Sequence, residues 1–178
     1  TAVVNASSKQ PADIWERIYF VGYTLSTLGM GDYQPQGKVW QMLTIVASTN
    51  GFFLVTLSIA YLLPVVSAAT QKRAFAVYIA SLGGTADEIL TSGWNGKNFE
   101  DLDSHLRSIT STLTQLGEQH LTYPILHYFH SVERSRSLAL SFVALDEALT
   151  LLQYAIPPEI QPNKATLNAA RRASAAFL

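Results

Sequence analysis

Between Lys38 and Lys72 no residue carries a charge. About 20 apolar residues in a helix are enough to cross the hydrocarbon core of a bilayer, so this stretch can span a membrane and continue beyond it. The chain has 178 residues, of which 14% are charged, against about 25% in soluble domains. The deficit is concentrated in this one segment. Val39 to about Ala69 is therefore expected to form a membrane-crossing helix. Lys72 and Arg73 follow it directly. Positive charge at the end of such a helix favours the cytoplasmic side, which places the later residues inside the cell and the earlier ones toward the outside.

The segment before this span carries the most specific pattern in the chain, Ser26-Thr27-Leu28-Gly29-Met30-Gly31-Asp32. Alternating glycines reach backbone angles closed to other residues, so successive carbonyl oxygens can point the same way. A ring of such carbonyls, one set per subunit, can replace the water shell of a dehydrated cation. Ala12 or Asp13, just after Pro11, can begin a short helix ending near Leu25. It carries Ile14, Trp15, Ile18, Tyr19, Phe20 and Tyr23. Residues 32–38 read as an outer turn, with Pro35 and Gly37 as breakers.

From about Asp13 to Val66 the chain resembles the tetrameric potassium channel family. The family pattern Thr-Val-Gly-Tyr-Gly-Asp is met by Thr27-Leu28-Gly29-Met30-Gly31-Asp32, identical at four of six positions and apolar at the other two. Gly51 stands 20 residues after Gly31, where the family often carries a hinge glycine. The resemblance implies an all-α membrane pore module made of a pore helix, a filter loop and an inner transmembrane helix. It implies ion binding by the backbone carbonyls of Thr27, Leu28, Gly29 and Met30 and by the Thr27 hydroxyl, with Gly31 and Asp32 shaping the exit. Asp32, Tyr19 and Trp15 are the implied filter supports, with Asp32 hydrogen-bonded to Tyr19 or Trp15. Gly51 and Pro64 are the implied gating hinge. Asn50 is the first candidate to approach a cavity below the filter, with hydrogen bonding between helices as its alternative role. Met30 departs from the pattern, because it lacks the hydroxyl with which the family's tyrosine binds the surrounding aromatics. Its flexible thioether specifies shape less tightly. The family's outer helix has no counterpart before the pore helix, so the chain is expected to be part of a longer, multi-pass protein.

After the span, Gly83-Gly84 is expected to end the continuing helix, and residues 74–178 are enough for one compact domain. Thr85 with Glu88 is a capping-box pattern for a short helix. A longer helix is expected from about Phe99 to Leu121, with Leu102, Leu106, Ile109, Leu113 and Leu116 on one stripe. Pro124 breaks it. Ile125 to Tyr154 reads as a further helix with Leu138, Phe142, Leu145, Leu149 and Leu152 on its stripe. The two stripes are expected to pack together in an antiparallel bundle. Pro157-Pro158 and Pro162 form a stiff linker before a last helix, Lys164 to Phe177. No strand pattern competes. The organisation is thus a pore module over residues 1–73 and a cytoplasmic helical bundle over 74–178.

Little in this second part points to chemistry. The chain has no cysteine, which excludes disulfides, thiolate metal sites and cysteine catalysis. His127 and His130, three apart and followed by Glu133, are suited to a divalent metal or a pH response. Packing at a helix junction accounts for them with fewer assumptions, since no compact ligand signature surrounds them. Asp87, Glu88, Glu100, Asp101 and Asp103 sit where helix N-termini favour negative charge. Arg171-Arg172-Ala173-Ser174 resembles a basic kinase recognition sequence, a short match of the kind that arises by chance. No nucleophile–base set, phosphate loop or dinucleotide fingerprint is visible, so no enzyme and no organic cofactor is expected. A net charge of −1 argues against nucleic acid. The expected partners are potassium ions, a bilayer in the cell membrane and three further copies of the chain. A non-selective cation channel and a non-conducting membrane adaptor are the alternatives.

Overall fold

The computed structural model describes residues 2–129 and 137–177, and is predominantly helical. Two compact units divide the chain, Thr1–Leu63 and Pro64–Leu178.

In the first unit a strand β1 (Val3–Asn5) precedes helix α1 (Ile14–Leu25). A second strand, β2 (Tyr33–Pro35), follows and pairs antiparallel with β1, Val3 opposite Pro35 and Asn5 opposite Tyr33. Helix α2 (Lys38–Leu82) then begins. The strand pair corrects the expectation that no strand forms. Three residues on each side are too few to show the period-2 alternation by which a strand is read. The pairing closes around a small apolar cluster of Val3, Ala12, Phe20 and Tyr23. The Ala6 amide adds a bond to the Asp32 carbonyl at 2.7 Å, so the N-terminal segment is laced to the residues after the glycine motif.

α2 is one continuous 45-residue helix with Pro64 inside it. Its most apolar window is only 17% buried, and among the described residues it is the one helix long and apolar enough to cross a membrane. Val39, Leu57 and Leu63 are each more than 60% exposed. Water is a poor solvent for such a surface, and the helix stops where Gly83 begins, as expected.

The second unit is a helical cluster of the end of α2 with α3 (Ala86–Gly93), α4 (Leu102–Thr122), a 3-10 turn (Pro124–Tyr128), α5 (Leu138–Tyr154) and α6 (Lys164–Phe177). The two leucine-rich stripes do enter one core, with Ile109, Leu113, Leu116, Leu145, Leu149 and Leu152 each at most 1% exposed. The packing is not the simple pairing expected of them, because α6 is the main partner of α4 and also packs on α5, which in turn receives α3. α6 supplies Leu167 and Ala170 to the core, and Arg171 ties it to α5 through Asp146 at 3.0 Å and Thr150 at 2.9 Å. The helix expected from Ile125 to Tyr154 is corrected too. Pro124 starts a 3-10 turn that ends at Tyr128, and α5 begins only at Leu138. The Thr85–Glu88 box does not form. The Glu88 carboxylate accepts from the Gly84 amide at 2.7 Å, one residue before the position a reciprocal box requires, and Thr85 makes no capping bond.

Candidate functional site

The site is built from the end of α1, the loop of residues 26–32 and β2. α1 starts on a reciprocal capping box. The Asp13 carboxylate accepts from the Glu16 amide and the Glu16 carboxylate from the Asp13 amide, both at 2.8 Å. This satisfies donors that every helix N-terminus leaves open. Glu16 does a second thing: its other oxygen accepts from the Tyr33 hydroxyl at 2.6 Å. That bond holds the first residue of β2 over the helix and raises the Tyr33 phenol above its ordinary range, with burial adding to the effect.

Tyr23 makes a double link. Its hydroxyl donates to the Tyr33 carbonyl at 2.8 Å and accepts from the Tyr33 amide at 3.2 Å. One phenol thus replaces a whole neighbouring strand for that residue. Tyr19 donates to the Asp32 carboxylate at 3.1 Å, which together with burial raises its own phenol above the ordinary value. The rings of Tyr19, Tyr23, Phe20 and Tyr33 meet edge to face at 5.1 to 6.1 Å. Of the two expected partners of Asp32, Tyr19 takes the role. Trp15 stands 74% exposed and takes no part in the network. Tyr23, Tyr33 and Glu16 were not among the expected supports. The Asp13-x-x-Glu16 spacing was the readable signal for one of them.

The loop leaves α1 through tight bonds. The amide of Thr27 donates to the Thr24 carbonyl at 3.2 Å, and those of Leu28 and Gly29 to the Tyr23 carbonyl at 2.9 and 3.4 Å. In a trans peptide the carbonyl of one residue and the amide hydrogen of the next point in opposite directions, and no described peptide is cis. The carbonyls of Ser26, Thr27 and Leu28 are therefore turned to the side away from the end of α1. The backbone angles alternate accordingly: Thr27 has φ +61°, Gly29 +60° and Gly31 +85°, with Leu28 and Met30 outside the left-handed region. Glycine reaches those angles without penalty. Thr27, a β-branched residue, does not, and strain of about 1–3 kcal/mol of this kind persists where the surroundings hold it. The side chains of Leu28 and Met30 are 67% and 54% exposed.

Gly51 lies against this construction. A Cβ at that position would come within 1.9 Å of the Leu25 carbonyl oxygen and 2.9 Å of the Leu25 Cα. The helix is unbroken at Gly51 and at Pro64. The absent side chain lets α2 touch the backbone end of α1.

Residues 1–68 match the family model described as an ion channel. Two curated relatives extend the comparison. A protein of Bacillus subtilis (strain 168), "Uncharacterized membrane protein YdjJ", is 42% identical over 170 residues, covering 96% of this chain and 50% of that protein. A second from the same organism, "Putative potassium channel protein YugO", is 30% identical over 127 residues, covering 70% of this chain and 37% of that protein. The chain thus spans half or less of the relatives it matches. No solved structure matches it. The ion-channel match covers α1, the glycine loop and the part of α2 up to Ala68, which is the region whose geometry is described above.

In the second unit, the expected histidine pair is only partly in view. His127 stacks edge to face on His120 at 5.2 Å, and the His120 ring nitrogen Nδ1 lies 2.8 Å from the Leu116 carbonyl. His130 and Glu133 lie outside the described residues. Among the described residues no three acidic, histidine or cysteine side chains gather as a metal site. The acidic residues at helix starts do local work: Asp103 accepts from the Asn163 amide at 2.9 Å. The Ser174 of the kinase-like sequence is 0% exposed, which closes that site to an enzyme in the folded unit.

Proposed function

We propose that residues 1–73 are the pore-forming part of a potassium channel subunit of the cell membrane, working as a homotetramer. Ions pass in single file between four copies of the loop. The carbonyls of Thr27, Leu28, Gly29 and Met30 replace their hydration, and the Thr27 hydroxyl forms the innermost ring. Asp32 adds negative potential at the outer mouth. Gly51 and Pro64 mark where the inner helix moves in gating, and the helical domain on the cytoplasmic side biases that movement. A ligand can do so only by binding one conformation better than the other. The observation that carries the reading is the alternation of left-handed angles at Thr27, Gly29 and Gly31. The amide bonds of Thr27, Leu28 and Gly29 back to α1 support the same reading for the inner part of the loop.

Full-length protein in potassium-loaded vesicles tests this. Potassium efflux with little sodium flux is the expected result, and equal permeability would replace it with a non-selective channel. Gly29→Ala is expected to abolish flux while leaving assembly intact. No atom stands within 4 Å of the added Cβ, so the variant isolates the backbone effect. The left-handed conformation costs a non-glycine residue about 1–2 kcal/mol, incurred in each of four subunits. Undiminished flux in Gly29→Ala would count against the proposed filter, and silence of the wild type in intact tetramers would favour the adaptor reading.

A further inference from the structure

The 3-10 turn Pro124–Tyr128 is fastened to one short part of α2. Leu126 is fully buried against Val65, Ala68 and Ala69. The Lys72 ammonium donates to the carbonyls of Leu126 and Phe129, each at 3.2 Å. That part of α2 is where the charge-free stretch ends, Lys72 being its first charge after Lys38. Counted as helix at about 1.5 Å per residue, Lys38 and Lys72 lie about 50 Å apart. This is slightly more than the roughly 40–45 Å of hydrocarbon plus both headgroup layers. Lys72 therefore falls at the inner polar boundary of any bilayer that α2 crosses, and the turn it holds falls at the same depth.

The surface from the end of α4 to the residue after this turn is unusual for one facing water. Leu121 is 78% exposed, Tyr128 83%, Phe129 44% and Ile125 42%. Four large apolar or aromatic side chains within nine residues of sequence thus point away from the unit's core. Aromatic residues gather at membrane–water interfaces, where an apolar ring and a polar edge are both accommodated. Lysines there keep the charged head polar while the stem stays in apolar surroundings.

We infer that Leu121, Ile125, Tyr128 and Phe129 form an interfacial anchor that seats the second unit on the inner lipid surface beside its own membrane helix. The occupant of this surface is the headgroup–acyl boundary of the bilayer. The turn beside this patch is packed on Val65, Ala68 and Ala69 of α2 and held by Lys72, where the charge-free stretch ends. The inference rests on α2 crossing the bilayer and is independent of which ion, if any, the protein conducts.

These residues contain no cysteine, so single-cysteine variants carry one probe each, once any cysteine outside them is replaced. Leu57→Cys, Tyr128→Cys and Tyr154→Cys take an environment-sensitive fluorophore in the reconstituted full-length protein. All three side chains are at least 68% exposed, so labelling removes little internal packing. The probes at 57 and 128 are expected to be quenched severalfold more by nitroxide-bearing lipids than the probe at 154, which should respond to a water-soluble quencher. A probe at 128 that behaves like the one at 154, while 57 is quenched by lipid, would overturn the anchor alone. Failure of lipid quenching at 57 would overturn the membrane placement of α2 and the anchor with it. A probe at 128 shielded from both quenchers but cross-linking to its equivalent would assign the patch to a second copy of the chain.

Discussion

Gly51 shows how a single absent methyl group decides a sign. In an exposed helix, replacing glycine by alanine gains up to about 1 kcal/mol through lower chain entropy in the unfolded state. At Gly51 the added Cβ would stand 1.9 Å from a backbone oxygen of Leu25, and backbone cannot move aside cheaply. Overpacking of this kind costs about 1–3 kcal/mol and sometimes more. Gly51→Ala is therefore expected to lower the unfolding temperature of the detergent-solubilised protein. A rise would show that the close approach of α2 to the end of α1 is not made. Thr27 presents the opposite case. Its left-handed φ of +61° is strain that a threonine accepts only because the amides around it are fixed to α1. The motif's glycines announced special backbone angles at Gly29 and Gly31, but nothing in the residue type announced one at Thr27. That angle is set by the bonds to Tyr23 and Thr24.

At the scale of the element, α1 and β2 are joined by phenols. Tyr33 bonds to Glu16 and Tyr19 to Asp32, and both phenols are held above the ordinary tyrosine value by these carboxylates and by burial. The sign follows from linkage. The folded state keeps its phenolic protons more tightly than the unfolded chain does, so the stabilisation is full below the ordinary value of about 10. It is lost as pH rises through the raised values. Thermal unfolding followed from about pH 9 to pH 12 should show a steep fall in wild-type protein and a shallower one in Tyr33→Phe, and equal slopes would remove Tyr33 from the account. The helices themselves were readable: α1 from Pro11 and its aromatic content, α2 from its missing charge, α4 and the body of α5 from their leucine spacing. The β1–β2 pair was not, since its register depends on partners 30 residues apart. The break after Pro124 was readable, but its outcome was not. A proline stops a helix, whereas the 3-10 turn that follows is set by Leu126 finding a place on α2.

For the whole molecule, two compact units share one chain. The second has an interior that its sequence only partly discloses. Ser174 is 0% exposed, and its hydroxyl finds no hydrogen-bond partner among the described residues. A buried polar group left unsatisfied costs about 1–3 kcal/mol. Ser174→Ala is expected to leave the second unit as stable or raise its unfolding temperature. Ser174→Asp is expected to unfold it, because a buried unpaired carboxylate is far costlier. A basic-directed kinase should not modify the folded protein, and ready phosphorylation would show that α6 detaches. What the sequence determined by itself was local or additive: a charge-free length that suits lipid, glycines whose spacing suits a turned backbone, and leucine stripes that must be covered. Such properties follow from the residues in order, with no partner specified. Only the tertiary structure decided which partners meet: Tyr23 with both backbone groups of Tyr33, α2 with the end of α1 at Gly51, and α6 as the main cover of α4. Those choices depend on shape and hydrogen-bond geometry between distant segments, which no single stretch of sequence contains.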